Sequence, residues 1–361
     1  MTMKALNIVI ACGGTGGHLF PGIAVAQQLR KQGHRPILLI SRKEVDAEAS
    51  SKYGDLEFHS IPAIAKPPTL SLRMPAFLWK LFTTYMNCKS LLRREKADAV
   101  LGMGGFTSLP PCKAAHALGL RSYVHDSNAM PGKSNRLTAR WCTKVLVGMK
   151  EAVQHFPGSD CAVVGTPVRD EIRNLPTPAE ARERLGLPQD KPVILVTGGS
   201  QGARNLNSLL IEAAKADAAV HYLVIAGRLD YERVNALAGG APNITVLGFC
   251  ADMPAAYAAA DGVIARSGAS TLTELSLIGK ACLLVPFPFA ADDHQTHNAR
   301  AFSDHGAAVL IQQADLTVQK VHDFVHGTAL NPEARTAMET AMRALSRPNA
   351  AEDIARTILS E

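Results

Sequence analysis

Two glycine clusters, each placed directly after a short apolar run, are the residues of this chain best suited to chemistry. Residues 8–11 lead into Gly13-Gly14-Thr15-Gly16-Gly17-His18, and residues 193–197 lead into Gly198-Gly199-Ser200-Gln201-Gly202, 185 positions further on. Glycine in such loops permits positive φ and close backbone approach, and the helix that follows offers unpaired N–H groups to an anion. A phosphorylated ligand fits both loops, and the pairing suggests two nucleotide-fold domains facing one cleft. His18 stands at the mouth of the first helix. An imidazole there, with an ordinary pKa of about 6.5, can accept a proton from a sugar or phosphate held by the loop.

Further clusters follow other strand-like runs. Gly102-Met103-Gly104-Gly105-Phe106 lies where ligands collect in an open α/β sheet. His125-Asp126-Ser127-Asn128 makes a poor metal pair, because adjacent strand residues point to opposite faces, whereas Asn128 suits a sugar hydroxyl. In the second half, Arg266-Ser267-Gly268-Ala269-Ser270-Thr271-Leu272-Thr273-Glu274 can present N–H groups to a diphosphate, with Glu274 placed to grip a ribose diol. The same small residues would also serve as a plain helix cap. His294 and His297 lie beside Asp292 and Asp293 but lack a third ligand at a convincing spacing, and no Asp-x-Asp is present to hold a metal-bridged diphosphate. No metal and no other cofactor are expected.

Two look-alikes fail on their spacing. A dinucleotide site needs a third glycine where Leu19 stands and an acidic residue after the second strand, which instead ends Ile40-Ser41-Arg42-Lys43. Gly132-Lys133-Ser134 imitates the end of a phosphate-binding P-loop, yet Ser127 occupies the place of the required first glycine, so it reads as a helix start.

The elements that must position these residues form an α/β rhythm. Strands are expected at 7–11, 36–40, 98–101, 122–125 and 144–147, with helices at 20–32 and 112–118 between them. After Gly165-Thr166-Pro167-Val168-Arg169 the rhythm restarts, with strands at 192–197, 221–226, 243–247, 262–265 and 281–285. Helices at 316–327 and 333–346 and a last one after Pro348 complete the chain. The domain boundary is expected near 165–170.

Composition agrees with two globular domains: 361 residues, 47% hydrophobic and 19% charged. Seven scattered cysteines without a Cys-x-x-Cys indicate neither a disulfide framework nor zinc, which points to a reducing cytoplasm. The chain enters its first strand almost at once, against a signal peptide, and its longest apolar run, near residue 281, is short and holds two prolines, against a membrane span. Residues 1–165 carry 21 Lys and Arg against 10 Asp and Glu, net +11, and residues 166–361 carry 17 against 22, net −5. The first half is therefore the one expected to meet an anionic surface or ligand.

Within it, residues 66–96 hold Lys66, Arg73, Lys80, Lys89, Arg93, Arg94 and Lys96 against Glu95 alone, interleaved with Leu70, Leu72, Met74, Phe77, Leu78, Trp79, Leu81 and Phe82. An apolar tip with a basic collar suits an anionic membrane surface. A core helix with a solvated face would show the same pattern.

Eight motifs carry a resemblance over essentially the whole length: residues 13–18, 101–106, 125–128, 165–169, 198–203, the Phe-x-x-Asp-Met of 249–253, 266–274 and 292–299. Together they resemble glycosyltransferase family 28, and among its members the bacterial transferases that make lipid II. The resemblance implies an α/β GT-B fold of two Rossmann-like domains with parallel sheets facing a central cleft. It implies an acceptor and membrane-contact domain at 1–167, a UDP-GlcNAc domain at 168–346, and a helix at 347–361 packing back on the first domain. The implied reaction is inverting transfer of GlcNAc from UDP-GlcNAc to the C4 hydroxyl of the MurNAc of lipid I, by a peripheral enzyme on the cytoplasmic face of the plasma membrane. Cell-wall or division proteins are further partners, and no nucleic acid is expected.

The resemblance also implies roles residue by residue. His18 is the general base. Ser200 lies at the α-phosphate, Glu274 at the ribose, Phe249 and the backbone of Cys250 at the uracil, and Arg169 on the nucleotide side. Ala269, Ser270, Thr271, Leu272 and Thr273 face the diphosphate, and Asn128 and Gln295 the GlcNAc hydroxyls. Thr15, Gly16 and Gly17 join the substrate contacts, and Gly14, Gly104 and Gly105 hold the acceptor pyrophosphate. His125-Asp126-Ser127-Asn128 departs from the family's frequent His-Glu-Gln-Asn, and Thr166 stands where Asn is frequent. A related nucleotide-sugar enzyme, such as a lipid glycosyltransferase or a UDP-GlcNAc 2-epimerase, and a non-catalytic cell-wall scaffold are the alternatives.

Overall fold

A computed structural model of the chain describes residues 5–13, 16–41, 53–62, 72–198 and 203–360. The chain divides into two compact units, one of residues 1–169 with 347–361 and one of residues 170–346. Gly14, Thr15 and Ser200, and residues 66–71 of the membrane-facing candidate, lie outside the described residues.

The first unit runs β1 (Asn7–Ala11), α1 (Gly16–Lys31), β2 (Arg35–Ser41), β3 (Glu57–Ile61), α2 (Met74–Arg94), β4 (Ala99–Gly102), α3 (Leu109–Ala117), β5 (Arg121–Asp126), α4 (Lys133–Thr138), β6 (Lys144–Val147) and β7 (Cys161–Val163). Its strands form one parallel sheet in the order β3-β2-β1-β4-β5-β6-β7. The order reverses between β1 and β4, which places the loops after these strands side by side at the carboxyl edge, the usual ligand position of such a sheet. Central strands are apolar on both faces because helices cover both. Ile8, Ile10, Leu101 and Tyr123 point into one core, and Val9, Val100 and Cys112 into the opposite one with Cys88 and Leu92 of α2.

The second unit runs α5 (Pro178–Leu185), β8 (Val193–Thr197), α6 (Arg204–Lys215), β9 (His221–Ile225), α7 (Tyr231–Ala238), β10 (Ile244–Leu247), α8 (Met253–Ala259), β11 (Gly262–Ala265), α9 (Ala269–Ile278), β12 (Cys282–Leu284), α10 (His294–Ser303), β13 (Val309–Leu310), α11 (Val318–Phe324) and α12 (Pro332–Ala344). Its parallel sheet has the order β10-β9-β8-β11-β12-β13, so the reversal lies between β8 and β11. Leu206, Leu210 and Ile211 of α6, Val321 and Phe324 of α11 and the strand residues Ile194, Val224 and Leu283 form its core. Thr177 opens α5 with a reciprocal cap, accepting from the Glu180 N–H while its own N–H donates to the Glu180 carboxylate at 2.9 Å.

The last helix, α13 (Ala350–Ser360), belongs to the first unit. Its Ala351, Ile354, Ala355 and Ile358 enter the core around α1, and Arg121 donates to the Ile358 carbonyl at 3.2 Å. Burial of Ile354 and Ile358 contributes about 1.5–3 kcal/mol each. Among the described residues no helix is long and apolar enough to cross a membrane.

Candidate active site

In the first unit the loops after β1, β4 and β5 are locked together by side chains. Thr107 donates to the Gly13 carbonyl at 2.9 Å, and Ser108 accepts from the Gly104 N–H at 2.9 Å, so the second loop is tied both to itself and to the first. Gly104 and Gly105 take φ of +114° and +73°, left-handed conformations that favour glycine. Their missing side chains make room for His18, which projects from the first turn of α1. A Cβ on Gly104 would stand 3.0 Å from His18 Nε2 and 3.1 Å from Asn135 Nδ2. The imidazole therefore rests on the backbone of the second glycine loop, half-buried, at the switch point of the sheet.

Beneath it lies a buried polar network. Asn135, in the first turn of α4, accepts from the Gly105 N–H at 3.0 Å and donates to the Asp126 carboxylate at 2.7 Å. Asp126 also accepts from the backbone N–H of Asn128 at 2.9 Å, from the Asn128 amide at 3.1 Å and from the Gly132 N–H at 3.0 Å. Asn128 is thus held by its neighbour two residues back. His125 is fully buried, its Nε2 lies 2.8 Å from the Gly165 carbonyl, and its Nδ1 has no hydrogen-bond partner among the described residues. Nε2 must then carry the proton. Burial lowers the His125 pKa, and the nearby charge of His18 lowers it further, against the opposing pull of Gly165 and Asp126. His125 is a neutral prop.

The second unit builds its site mainly from backbone. The hydrogen-bond ladder of α9 begins where Leu272 N–H donates to Gly268 at 3.0 Å, so the N–H groups of Ala269, Ser270 and Thr271 precede it. Gly268, the residue before the helix, supplies no side-chain cap, which leaves that end to an anion. Leu272 is fully buried and Ala269 nearly so; only their main chain can serve a ligand. One turn on, Glu274 accepts from the buried Tyr257 hydroxyl at 2.8 Å, which fixes one carboxylate oxygen. Phe249 is more than half exposed, with the Arg228 guanidinium 4.6 Å from its ring centroid, and Cys250 is buried.

The surrounding motif residues brace this end of the sheet. Arg266 donates to the carbonyls of Val285 and Pro286 at 3.0 and 2.9 Å, and burial brings its pKa down to about 10. Gln295 accepts from the Phe287 N–H at 2.9 Å through its side-chain oxygen, while its main-chain carbonyl receives the Ser267 hydroxyl at 2.8 Å. Asp292 and Asp293 both take φ near +50°, a left-handed pair that costs of order 1–3 kcal/mol per residue and turns the chain sharply into α10. Arg169 stands in the first unit, its guanidinium 4.8 Å from the Phe20 ring centroid, so it is a neighbour of α1 and the His18 loop. The first segment of this unit ends at Arg169.

Sequence reasoning missed Asn135 and its counterpart Asn207, whose amide donates to Asp230 at 2.8 Å and to the Ala226 carbonyl at 3.0 Å. Each follows a strand-end motif by a few residues, the one signal available. Sequence reasoning also passed over Glu57, His59 and Glu95, which bring three potential metal-ligand atoms together. Arg35 already donates to both carboxylates, at 2.9 Å each, and fills the place of a cation.

Comparison with known proteins assigns the chain. The glycosyltransferase family 28 N-terminal domain matches residues 8–147, and the glycosyltransferase family 28 C-terminal domain matches residues 193–356. A Desulforudis audaxviator protein named "UDP-N-acetylglucosamine--N-acetylmuramyl-(pentapeptide) pyrophosphoryl-undecaprenol N-acetylglucosamine transferase" is 36% identical, over 97% of this chain and 96% of its own length. The Neisseria meningitidis serogroup B protein of the same name is 35% identical over 99% of both. The crystal structure of Acinetobacter baumannii MurG superposes with a TM-score of 0.78 at 31% identity, covering 99% of this chain and 100% of that one. A Neisseria meningitidis UDP-GlcNAc 2-epimerase shares the fold, with a TM-score of 0.69 at 14% identity. With both halves matched and relatives of this identity spanning nearly its full length, the chain belongs to glycosyltransferase family 28.

Proposed function

We propose that the chain transfers N-acetylglucosamine from UDP-N-acetylglucosamine to the MurNAc C4 hydroxyl of MurNAc-(pentapeptide)-pyrophosphoryl-undecaprenol, with inversion at the anomeric carbon. The observation that carries this reading is the His18 imidazole resting on the Gly104-Gly105 backbone, a base beside two glycine loops fit for a pyrophosphate. The acceptor pyrophosphate takes the N–H groups of Gly16 and Gly17 at the start of α1 and lies against Gly104 and Gly105, whose own N–H groups are held by Ser108 and Asn135; Gly14 and Thr15 precede them in the same motif. The hydroxyl oxygen attacks the anomeric carbon, His18 takes its proton, and the bond from that carbon to the UDP oxygen breaks. The leaving diphosphate is met by the segment 269–273, through the N–H groups of Ala269, Ser270 and Thr271 that precede the helix ladder, and by Ser200, and the positive end of α9 lowers the cost of its charge. Glu274 holds the ribose, Phe249 and the Cys250 backbone the uracil, and Gln295 and Asn128 the donor sugar. Arg169, beside Phe20, contacts the nucleotide.

The chain works as a peripheral protein on the cytoplasmic face of the plasma membrane. Leu72 and Trp79 are 99% and 68% exposed, and Leu78, Phe82 and Met86 are exposed with them on or beside α2, among Arg73, Lys80 and Lys89. Such a surface gains from both apolar insertion and headgroup attraction. Phe77, on the same helix, packs edge-on against Phe106 at 5.8 Å, which joins this surface to the second glycine loop.

The test is to mix the protein with radiolabelled UDP-GlcNAc and a lipid I analogue and to follow label into the lipid fraction. Label transfer that depends on the analogue is the expected result. UDP release or an isomerised sugar without transfer would replace this reading by hydrolysis or epimerisation.

A further inference from the structure

Strands β9 and β10 run side by side, Ile225 opposite Leu247, and the loops that follow them leave the same edge of the sheet. The ladder continues one step into these loops, where the Ala226 N–H donates to the Leu247 carbonyl at 2.8 Å. The first loop then turns sharply. Gly227 takes φ of +87°, a left-handed conformation that favours glycine, and the Asp230 N–H donates back to the Gly227 carbonyl at 3.1 Å. Asn207 of α6 pins both ends of this turn, its amide donating to the Ala226 carbonyl and to the Asp230 carboxylate. The second loop lies close against it: a Cβ on Gly248 would stand 3.1 Å from the Tyr231 Cβ.

Two exposed side chains meet at this braced corner. Phe249 is 56% exposed, and the Arg228 guanidinium carbon stands 4.6 Å from its ring centroid. The neighbouring arginines are engaged elsewhere, Arg204 and Arg233 both on Asp230 at 3.5 and 2.7 Å. Arg228 itself is exposed, and among the described residues no carboxylate pairs with it. A guanidinium stacked on an aromatic ring keeps its N–H donors at its edge, in its own plane. Ring and guanidinium, carried by a turn held at both ends, form a preorganised surface for a flat ring that bears carbonyl oxygens.

We propose that Arg228 selects the base of the donor nucleotide by donating to O4 of uracil. The inference rests on the reading of Phe249 and the Cys250 backbone as the uracil contacts. Uracil and cytosine share O2 and differ at C4, where uracil carries a carbonyl oxygen and cytosine an amino group. A guanidinium has donors and no acceptor, so it pairs with the oxygen and stands donor against donor with the amine. Stacking on Phe249 does not discriminate, because every base has a π-face. The ring thus supplies affinity for a base, and Arg228 supplies the choice among bases.

UDP and CDP are titrated calorimetrically into the full chain, unsubstituted and carrying Arg228→Ala or Phe249→Leu, and uridine is measured by its displacement of UDP. Arg228→Ala is expected to lose about tenfold in affinity for UDP and for uridine, the effect of one hydrogen bond to a charged group, and to keep CDP within about twofold. The preference for UDP over CDP then falls about tenfold. Phe249→Leu is expected to weaken all three ligands alike and to leave that preference in place. Unaltered UDP and CDP affinities in Arg228→Ala would overturn the proposal. An equal loss for UDP and CDP with uridine untouched would move Arg228 to the diphosphate and overturn the base assignment. An unsubstituted chain that binds neither UDP nor uridine would overturn the donor reading itself, and this inference with it.

Discussion

Both units place their glycine loops on either side of a switch point in a parallel sheet, β1/β4 in one and β8/β11 in the other, yet they equip that point differently. The first unit puts a titratable side chain there, His18, over a network of amides that hold the buried Asp126 with no charged partner among the described residues. The second offers helix N–H groups and small residues, and its buried Asp230 is held by Arg233 at 2.7 Å and Arg204 at 3.5 Å as well as by Asn207. Hydrogen bonds from Arg233, then Asn207, keep the Asp230 carboxyl below the usual range. On the proposed function one scaffold serves proton handling in the first unit and anion holding in the second, and the two should fail in different ways.

The largest expected difference is catalytic. His18→Ala should lower kcat by about 10²–10⁴-fold, the usual contribution of a general base; a loss below tenfold would remove His18 from that role. Gly104→Val comes next. It drives a Cβ against His18 at a φ of +114° and should cost about 1–3 kcal/mol in stability and roughly 10²-fold in kcat. In the second unit Gly268, at φ −66° with its nearest atom 4.0 Å away, should accept Ala for less than about 1 kcal/mol. Equal losses at the two glycines, in denaturant unfolding and turnover, would dissolve the contrast.

Smaller effects separate the two networks. Asn135→Leu leaves Asp126 with backbone N–H groups and Asn128, so it should destabilise by about 3 kcal/mol, whereas Asn207→Leu, with both arginines still on Asp230, should cost about 1.5 kcal/mol. The reverse order in urea unfolding would contradict the account. The smallest effect concerns pH. His125 is held neutral with a lowered pKa, while in the unfolded chain it titrates near 6.5. The unfolded state therefore binds more protons as pH falls, and the stability due to neutral His125 is whole above about pH 6.5 and lost progressively below it. Burial lowers His221 in the same sense. Thermal midpoints should drop on acidification, and less steeply in His125→Gln; an unchanged slope in that variant would sink the assignment.

The sequence made the central strands legible to within one or two residues, because strands covered on both faces read as short apolar runs. It concealed β3, β7 and β13, each at a sheet edge and only half-buried, where Glu57 and His59 interrupt the pattern or two or three residues suffice. The expected helix at 20–32 begins at Gly16, since two glycines and an internal proline hide its first turn. At the site, spacing alone pointed to the glycine loops and to His18. It could not show that His18 lies over Gly104, 86 positions on, nor that Asn135 joins Gly105 to Asp126, because such contacts are set by strand adjacency in the sheet. The exposure of Trp79 was open for a similar reason: an amphipathic pattern does not say which apolar face finds a partner.

The division of labour is tested most directly by calorimetric titration of UDP into the full chain carrying His18→Ala and into that carrying Glu274→Ala. The account predicts UDP affinity within about twofold of the unsubstituted chain for His18→Ala. For Glu274→Ala it predicts a loss of about tenfold or more, the effect of removing a hydrogen bond to a charged group. UDP affinity lost with His18 and kept without Glu274 would contradict it.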